Sequence, residues 1–120
     1  MDFIYYNLDD AASLIDTMFR ENSKRGFERS LLPTYRDIRK NNKFYGFGDY
    51  LIMSFVLDRS IYHKKEVNKS MVNRMCRQSS EYRSISKREK MRWGDNLMTH
   101  VGDHENPQIR RVAVRKYKKV

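Results

Sequence analysis

Nine residues, Asp49-Tyr50-Leu51-Ile52-Met53-Ser54-Phe55-Val56-Leu57, set the terms for everything around them. They form the one long apolar run in a chain in which 33% of residues are charged. Read as a helix capped by Asp49 and continuing to Ile61-Tyr62, the run carries apolar groups on nearly every side. A helix that is hydrophobic all round belongs inside a fold, with other elements packed against it. The eight residues Tyr50 to Leu57 also have the length of a buried strand, and periodicity alone does not separate the two. The continuation to Tyr62 and the helical faces offered elsewhere favour the helix.

Those faces appear on both sides of the run. Phe3, Ile4, Tyr5 and Tyr6 make a short aromatic start, read as a β-edge or an extended arm. Asp9 or Asp10 then caps a helix over 11–21, with Leu14, Ile15, Met18 and Phe19 on one face. The stretch from Asn22 to Gly26 stops it. Pro33 tolerates only a helix start, and Thr34 to Arg39 reads as a short helix ending at Asn41-Asn42. After the central run, Val67, Met71 and Met75 give a narrow apolar stripe to a helix over 64–77. The polar stretch from Gln78 to Arg83 reads as a connection. Ser86 and Glu89 form a capping box that starts a helix at Lys87. That helix carries Met91, Leu97, Met98 and Val101 inward with Trp93 beside them, and Gly102 ends it. Asn106-Pro107 opens a last helix bearing Ile109, Val112, Ala113 and Tyr117, with a strand as the alternative because Val112 and Val114 alternate with charged neighbours.

The fold class that follows is all-α, a single domain over residues 1–120. Five to six helices surround a central apolar helix 49–62, with a short extended segment at the N-terminus. A chain of 120 residues has room for one modest core of this kind. No apolar stretch has the roughly 18 residues a membrane span needs. The start Met1-Asp2 with no cation before Arg20 gives no expectation of a secretory or mitochondrial leader. The lone Cys76 excludes an internal disulfide and points to a reducing, intracellular setting. Its expected role is packing rather than nucleophilic attack.

Two segments resemble known families. Tyr45-Gly46-Phe47-Gly48 is similar to the glycine-aromatic core of the RNP1 motif of RNA-recognition domains. That motif places a cation before its first glycine and an aromatic after its second, where this chain has Tyr45 and Asp49. The segment is therefore read as a bend, anchored to the core by Phe44, Tyr45 and Phe47. The same aromatic linker argues against a helix-turn-helix, whose turn is compact. Asp103, Pro107, Ile109, Arg110 and Ala113 resemble the D-x-x-x-P-x-[VI]-R-x-x-A pattern of HEAT-type helical repeats. The resemblance spans eleven residues once, with no repeat period elsewhere. It implies a helical hairpin and carries over no function.

Charge is the strongest functional signal. Residues 1–58 hold 8 Lys/Arg against 9 Asp/Glu, a net of −1, while residues 59–120 hold 17 against 6, a net of +11. An asymmetry of that size points to an anionic partner for the second half. Lys87, Arg88, Lys90 and Arg92 crowd the first turns of a helix whose amino end is already partly positive, where each cation costs about 0.3–1 kcal/mol. Lys64 and Lys65 repeat the arrangement at the start of the preceding helix. An anion held between these side chains and the helix N–H groups accounts for the placement, and phosphate backbone is the commonest such ligand. Arg110, Arg111 and Arg115 form a second cluster. Tyr82, set in a polar connection among the cations, is the best placed aromatic to stack on a base.

Catalytic chemistry has little to stand on. The chain has no phosphate-binding glycine loop, no paired cysteines and no H-E-x-x-H. His100, Asp103, His104 and Glu105 are metal-compatible groups, the basis of a metal-dependent hydrolase as a minor alternative. The expected helix break at Gly102 separates the two imidazoles, so no metal, cofactor or catalytic residue is assigned. The leading expectation is a non-enzymatic nucleic-acid-binding module, largely sequence-independent, contacting phosphates through Lys64, Lys65, Lys87, Arg88, Lys90, Arg92, Arg110, Arg111, Arg115 and Tyr82. The alternative is a regulator, an adaptor or inhibitor docking a basic face rich in Met and Tyr on an acidic protein such as a nucleic-acid-processing enzyme. Pairing of the acidic first nineteen residues with the basic half of a second copy would give a homodimer.

Overall fold

A computed structural model describes residues 8–26, 29–44, 46–63 and 65–103, with only the backbone described for 8–10, 25 and 103. The aromatic start at 3–6, Asp103-to-Ala113 as a repeat-like hairpin and the helix opening at Asn106-Pro107 lie outside the described residues. Within them the chain is all helical: α1 (Leu8–Asn22), α2 (Leu31–Lys40), α3 (Asp49–Tyr62), α4 (Lys69–Cys76), α5 (Ser80–Ser84) and α6 (Lys87–Asp103). No strand occurs among the described residues, so the apolar run is a helix and not a buried strand. No helix among them is long and apolar enough to cross a membrane.

The central helix is where its composition puts it. Ile52, Met53, Phe55, Val56 and Leu57 of α3 are all buried. They meet Ile15 and Phe19 of α1, Tyr35 and Ile38 of α2, Met71 and Met75 of α4 and Leu97 of α6 in one core. Ser54 and Ser60 are buried with them, and each hydroxyl donates to the carbonyl four residues back, at 3.0 Å. This local bond removes the penalty of an unpaired buried hydroxyl. Cys76 is fully buried, and burial pushes its thiol up to about 11, which keeps it a neutral packing group.

Several boundaries differ from the sequence reading, each for a local reason. Helix α1 begins at Leu8, so Asp9 and Asp10 sit inside its first turn instead of capping it. Its end passes through a 3-10 turn, Ser23–Arg25, to Gly26 at φ 101°, a left-handed setting that favours glycine. Pro33 falls in the first turn of α2, where its missing N–H costs nothing. The aromatic linker forms a second 3-10 turn, Asn42–Phe44. Phe44 and Phe47 then pack edge-to-face on Phe55 with ring centroids 6.2 and 6.0 Å away. That seals the bend onto the core as expected of an anchor; Tyr45 lies outside the described residues.

Helix α4 is shorter than the expected 64–77. Asn68 caps it, its side chain accepting from the Met71 N–H at 3.0 Å, and residues 65–68 precede it as a non-helical connection. Gln78 to Arg83 is more than a connection: Ser79 caps the short α5 by accepting from the Tyr82 N–H. At α6 the capping signal reads true, with Ser86 Oγ accepting from the Glu89 N–H at 3.2 Å. Gly102 does not break this helix, which runs through it to Asp103.

Polar pairs join elements distant in sequence. The Arg59 guanidinium of α3 makes a two-pronged bond to Asp16 of α1, at 2.9 and 2.7 Å. His63 reaches the same carboxylate at 3.0 Å. Burial works to raise the Asp16 pKa, but the hydrogen bonds and charges of Arg59 and His63 outweigh it and hold the carboxyl below its ordinary value. His100 of α6 meets Asp58 at 2.6 Å. Asp49 is not a cap but a tether, accepting from the Ser79 hydroxyl and facing Arg39 at 3.4 Å. Arg36 and Arg39 both donate to Gln78, the first to its side chain and the second to its carbonyl.

A cationic groove between α4 and α6

Helical spacing decides which basic residues share a surface. On α4, Met71, Val72, Met75 and Cys76 are buried, leaving Lys69, Asn73 and Arg77 at i, i+4 and i+8 on another face. On α6, Lys87, Lys90, Met91, Gly94 and Asp95 recur at i, i+3, i+4, i+7 and i+8. The two helices pack against each other, and these two faces line one groove of about 300 Å³ that Tyr82 of α5 completes.

Its wall is strongly positive. Lys69, Arg77, Lys87 and Lys90 supply four cations against one carboxylate, Asp95. Among the described residues, none of the four makes an ion pair. That sets them apart from Arg39 and Arg59, which hold the fold together through Asp49 and Asp16. Four cations set against a single carboxylate leave a net positive surface whose charges repel one another.

The lining also has apolar members. Met91, expected in the core, is 63% exposed and lies in the groove instead. Leu97, two turns on, fills the core position. Tyr82 is half-buried, with its ring edge-on to Trp93 at 5.6 Å and the Lys90 ammonium 5.8 Å from its centroid. Partial burial, then proximity to Cys76, raises its phenol, so it faces the groove as a neutral aromatic. Trp93 is packing material as expected: it contacts Tyr50 at 5.4 Å, and its N–H points to the Met53 sulfur at 3.4 Å. Gly94 is buried under the groove, and a Cβ there would lie 3.8 Å from the Asn73 side-chain oxygen.

The structure therefore gathers some of the expected contacts and separates others. Lys87, Lys90 and Tyr82 come together. Arg88 and Arg92 do not join them: both are exposed and neither lines the groove, Arg92 being turned well away from the Lys87–Lys90–Gly94 line and Arg88 lying at its edge beside Asp95. Lys65 is not at a helix start; it lies in the connection before α4 and lines a different recess with Asp16, Arg20, Arg59 and His63. Lys64, Arg110, Arg111 and Arg115 lie outside the described residues. Lys69 and Arg77 were missed from sequence, although their i, i+8 spacing opposite the Met71–Met75 stripe is the signal that marks them.

The minor metal-site idea loses its first member to the fold, since His100 is engaged with Asp58. His104 and Glu105 lie outside the described residues, and among those described no group of three or more His, Cys, Asp or Glu side chains is placed to hold a metal. No family model, curated protein or solved structure matches this chain.

Proposed function

We propose that the protein is a non-enzymatic nucleic-acid-binding module that engages phosphates in the groove between α4 and α6. The observation that supports this is the set of four cations, Lys69, Arg77, Lys87 and Lys90, lining one concave surface with no ion pair among the described residues. Phosphates entering the groove would relieve the mutual repulsion and release their own counterions, a sequence-independent driving force. The basic residues beyond 103 add to the long-range attraction that brings the ligand in.

The test is direct binding of a labelled oligonucleotide to protein purified with nuclease treatment. Wild type binds at low salt, and Lys69→Gln/Arg77→Gln, on a helix face away from the core, weakens binding at least tenfold with an unchanged melting temperature. Absence of binding at low salt, or an unaffected double variant, overturns the proposal. Nuclease-resistant co-purification with one acidic protein would favour the adaptor reading in its place.

A further inference from the structure

Phosphate binding alone leaves two features of the groove without a role, the exposed Met91 side chain and a carboxylate, Asp95, in an otherwise cationic wall; beside them lies an aromatic, Tyr82, held edge-on to Trp93 with Lys90 over its ring. A large apolar side chain 63% exposed among ammonium groups gains nothing from water. Asp95 repels phosphate. All three suit a nucleobase. Aromatic and thioether groups pack on its face, and carboxylate and amide oxygens accept from its exocyclic amino group. Asn73, on the opposite wall, offers a second polar group to the same ligand.

Resting on the phosphate-binding reading above, we infer that the groove takes single-stranded nucleic acid, with one unstacked base seated on Met91 and Tyr82. The flanking phosphates lie against Lys69, Arg77, Lys87 and Lys90, and the amino edge of the base faces Asp95. The duplex is excluded for a physical reason: its base faces are covered by neighbouring pairs and cannot stack on Met91 and Tyr82. A recess of about 300 Å³ is at the lower end of small-ligand pockets, the scale of a nucleotide and not of a double helix.

Three labelled ligands of about 12 nucleotides separate this inference from simple phosphate binding: a mixed-sequence single strand, the corresponding duplex, and an abasic strand with the same phosphates. Fluorescence anisotropy at one ionic strength should show the base-bearing strand binding about tenfold more tightly than the abasic one, the scale of one stacked base, and more tightly than the duplex. Met91→Ala, at an exposed position, should remove most of the advantage over the abasic strand. Equal binding of base-bearing and abasic strands, or duplex binding as tight as single-strand binding, overturns the base seat and leaves phosphate binding standing. An advantage that survives Met91→Ala places the base elsewhere and also overturns it. Binding of none of the three ligands removes both readings together.

Discussion

Two pairs of cations on α6 make a controlled comparison, because they sit within one helix and differ in where they point. Lys87→Gln/Lys90→Gln removes two charges from the groove, and Arg88→Gln/Arg92→Gln removes two that are exposed outside its lining. Net charge falls equally in both variants, so any general electrostatic effect is matched. For single strands, the logarithm of affinity falls with the logarithm of salt by about 0.7 for each phosphate neutralised. Four groove cations thus contribute about 2.8 to the slope, with residues beyond 103 adding to the total. The decrement is the quantity to measure: the Lys87/Lys90 variant should lose about 1.4 from the slope. Raising salt from about 50 to 200 mM should then narrow its affinity gap from wild type by about sevenfold. Anisotropy titrations at four salt concentrations give the slopes. Equal decrements in the two variants would refute a groove and leave only diffuse attraction to a basic protein.

The fold makes its own predictions. Among the described residues the buried Tyr35 hydroxyl has no hydrogen-bond partner within normal geometry, so Tyr35→Phe should stabilise the protein by about 1 kcal/mol in thermal or urea unfolding; a loss of similar size would show that the nearby Ser79 hydroxyl bonds it. Asp16→Asn should cost about 1–2 kcal/mol at neutral pH. Because the folded Asp16 pKa lies below its ordinary 3.8, that gap is fully present above this value and is lost as pH falls through the lower folded one. Urea melts of both proteins across roughly pH 2–7, which spans the carboxylate titration range, follow it, and a gap independent of pH would contradict the assignment. Gly94→Ala meets no steric obstacle and should gain up to about 1 kcal/mol of helix stability while narrowing the groove. Calorimetry and anisotropy on the same variant should therefore move in opposite directions.

What could be read from the chain depended on how local its cause was. The start of α6 was legible because Ser86 and Glu89 carry the capping signal within one turn. The core role of 49–57 was legible because an apolar helix has few other places to go. The start of α4 was misplaced because Val67 continues the stripe of Met71 and Met75 backwards, while the decisive bond is made by Asn68. Periodicity places Met91 inward, yet it lines the groove between α4 and α6 while Leu97 is buried in the core. The groove itself belongs to two helices separated by α5. No local pattern says that Lys69 and Arg77 face Lys87 and Lys90 until the packing is known. The separation of Arg92 from Lys87 and Lys90, by contrast, follows from helical arithmetic, whereas Arg88, one heptad before the groove residue Asp95, is placed outside only by the packing.

The uniform apolarity of α3 has a cost that its burial hides. A cylinder equally greasy on all sides can turn about its axis and still bury its surface, so side-chain packing alone distinguishes poorly among rotational settings. Polar groups near its two ends act as keys. Asp49 locks to Ser79 and Arg39, Asp58 to His100, and Arg59 to Asp16. Each mates with a different neighbouring element, so together they admit one azimuth. Their contribution is then to uniqueness more than to depth of the energy well, a use of partly buried polar pairs known from helical assemblies. Replacing all three acids with their amides should leave helix content nearly intact while broadening the amide and methyl spectra of α3, the signature of a core that is formed but not indexed.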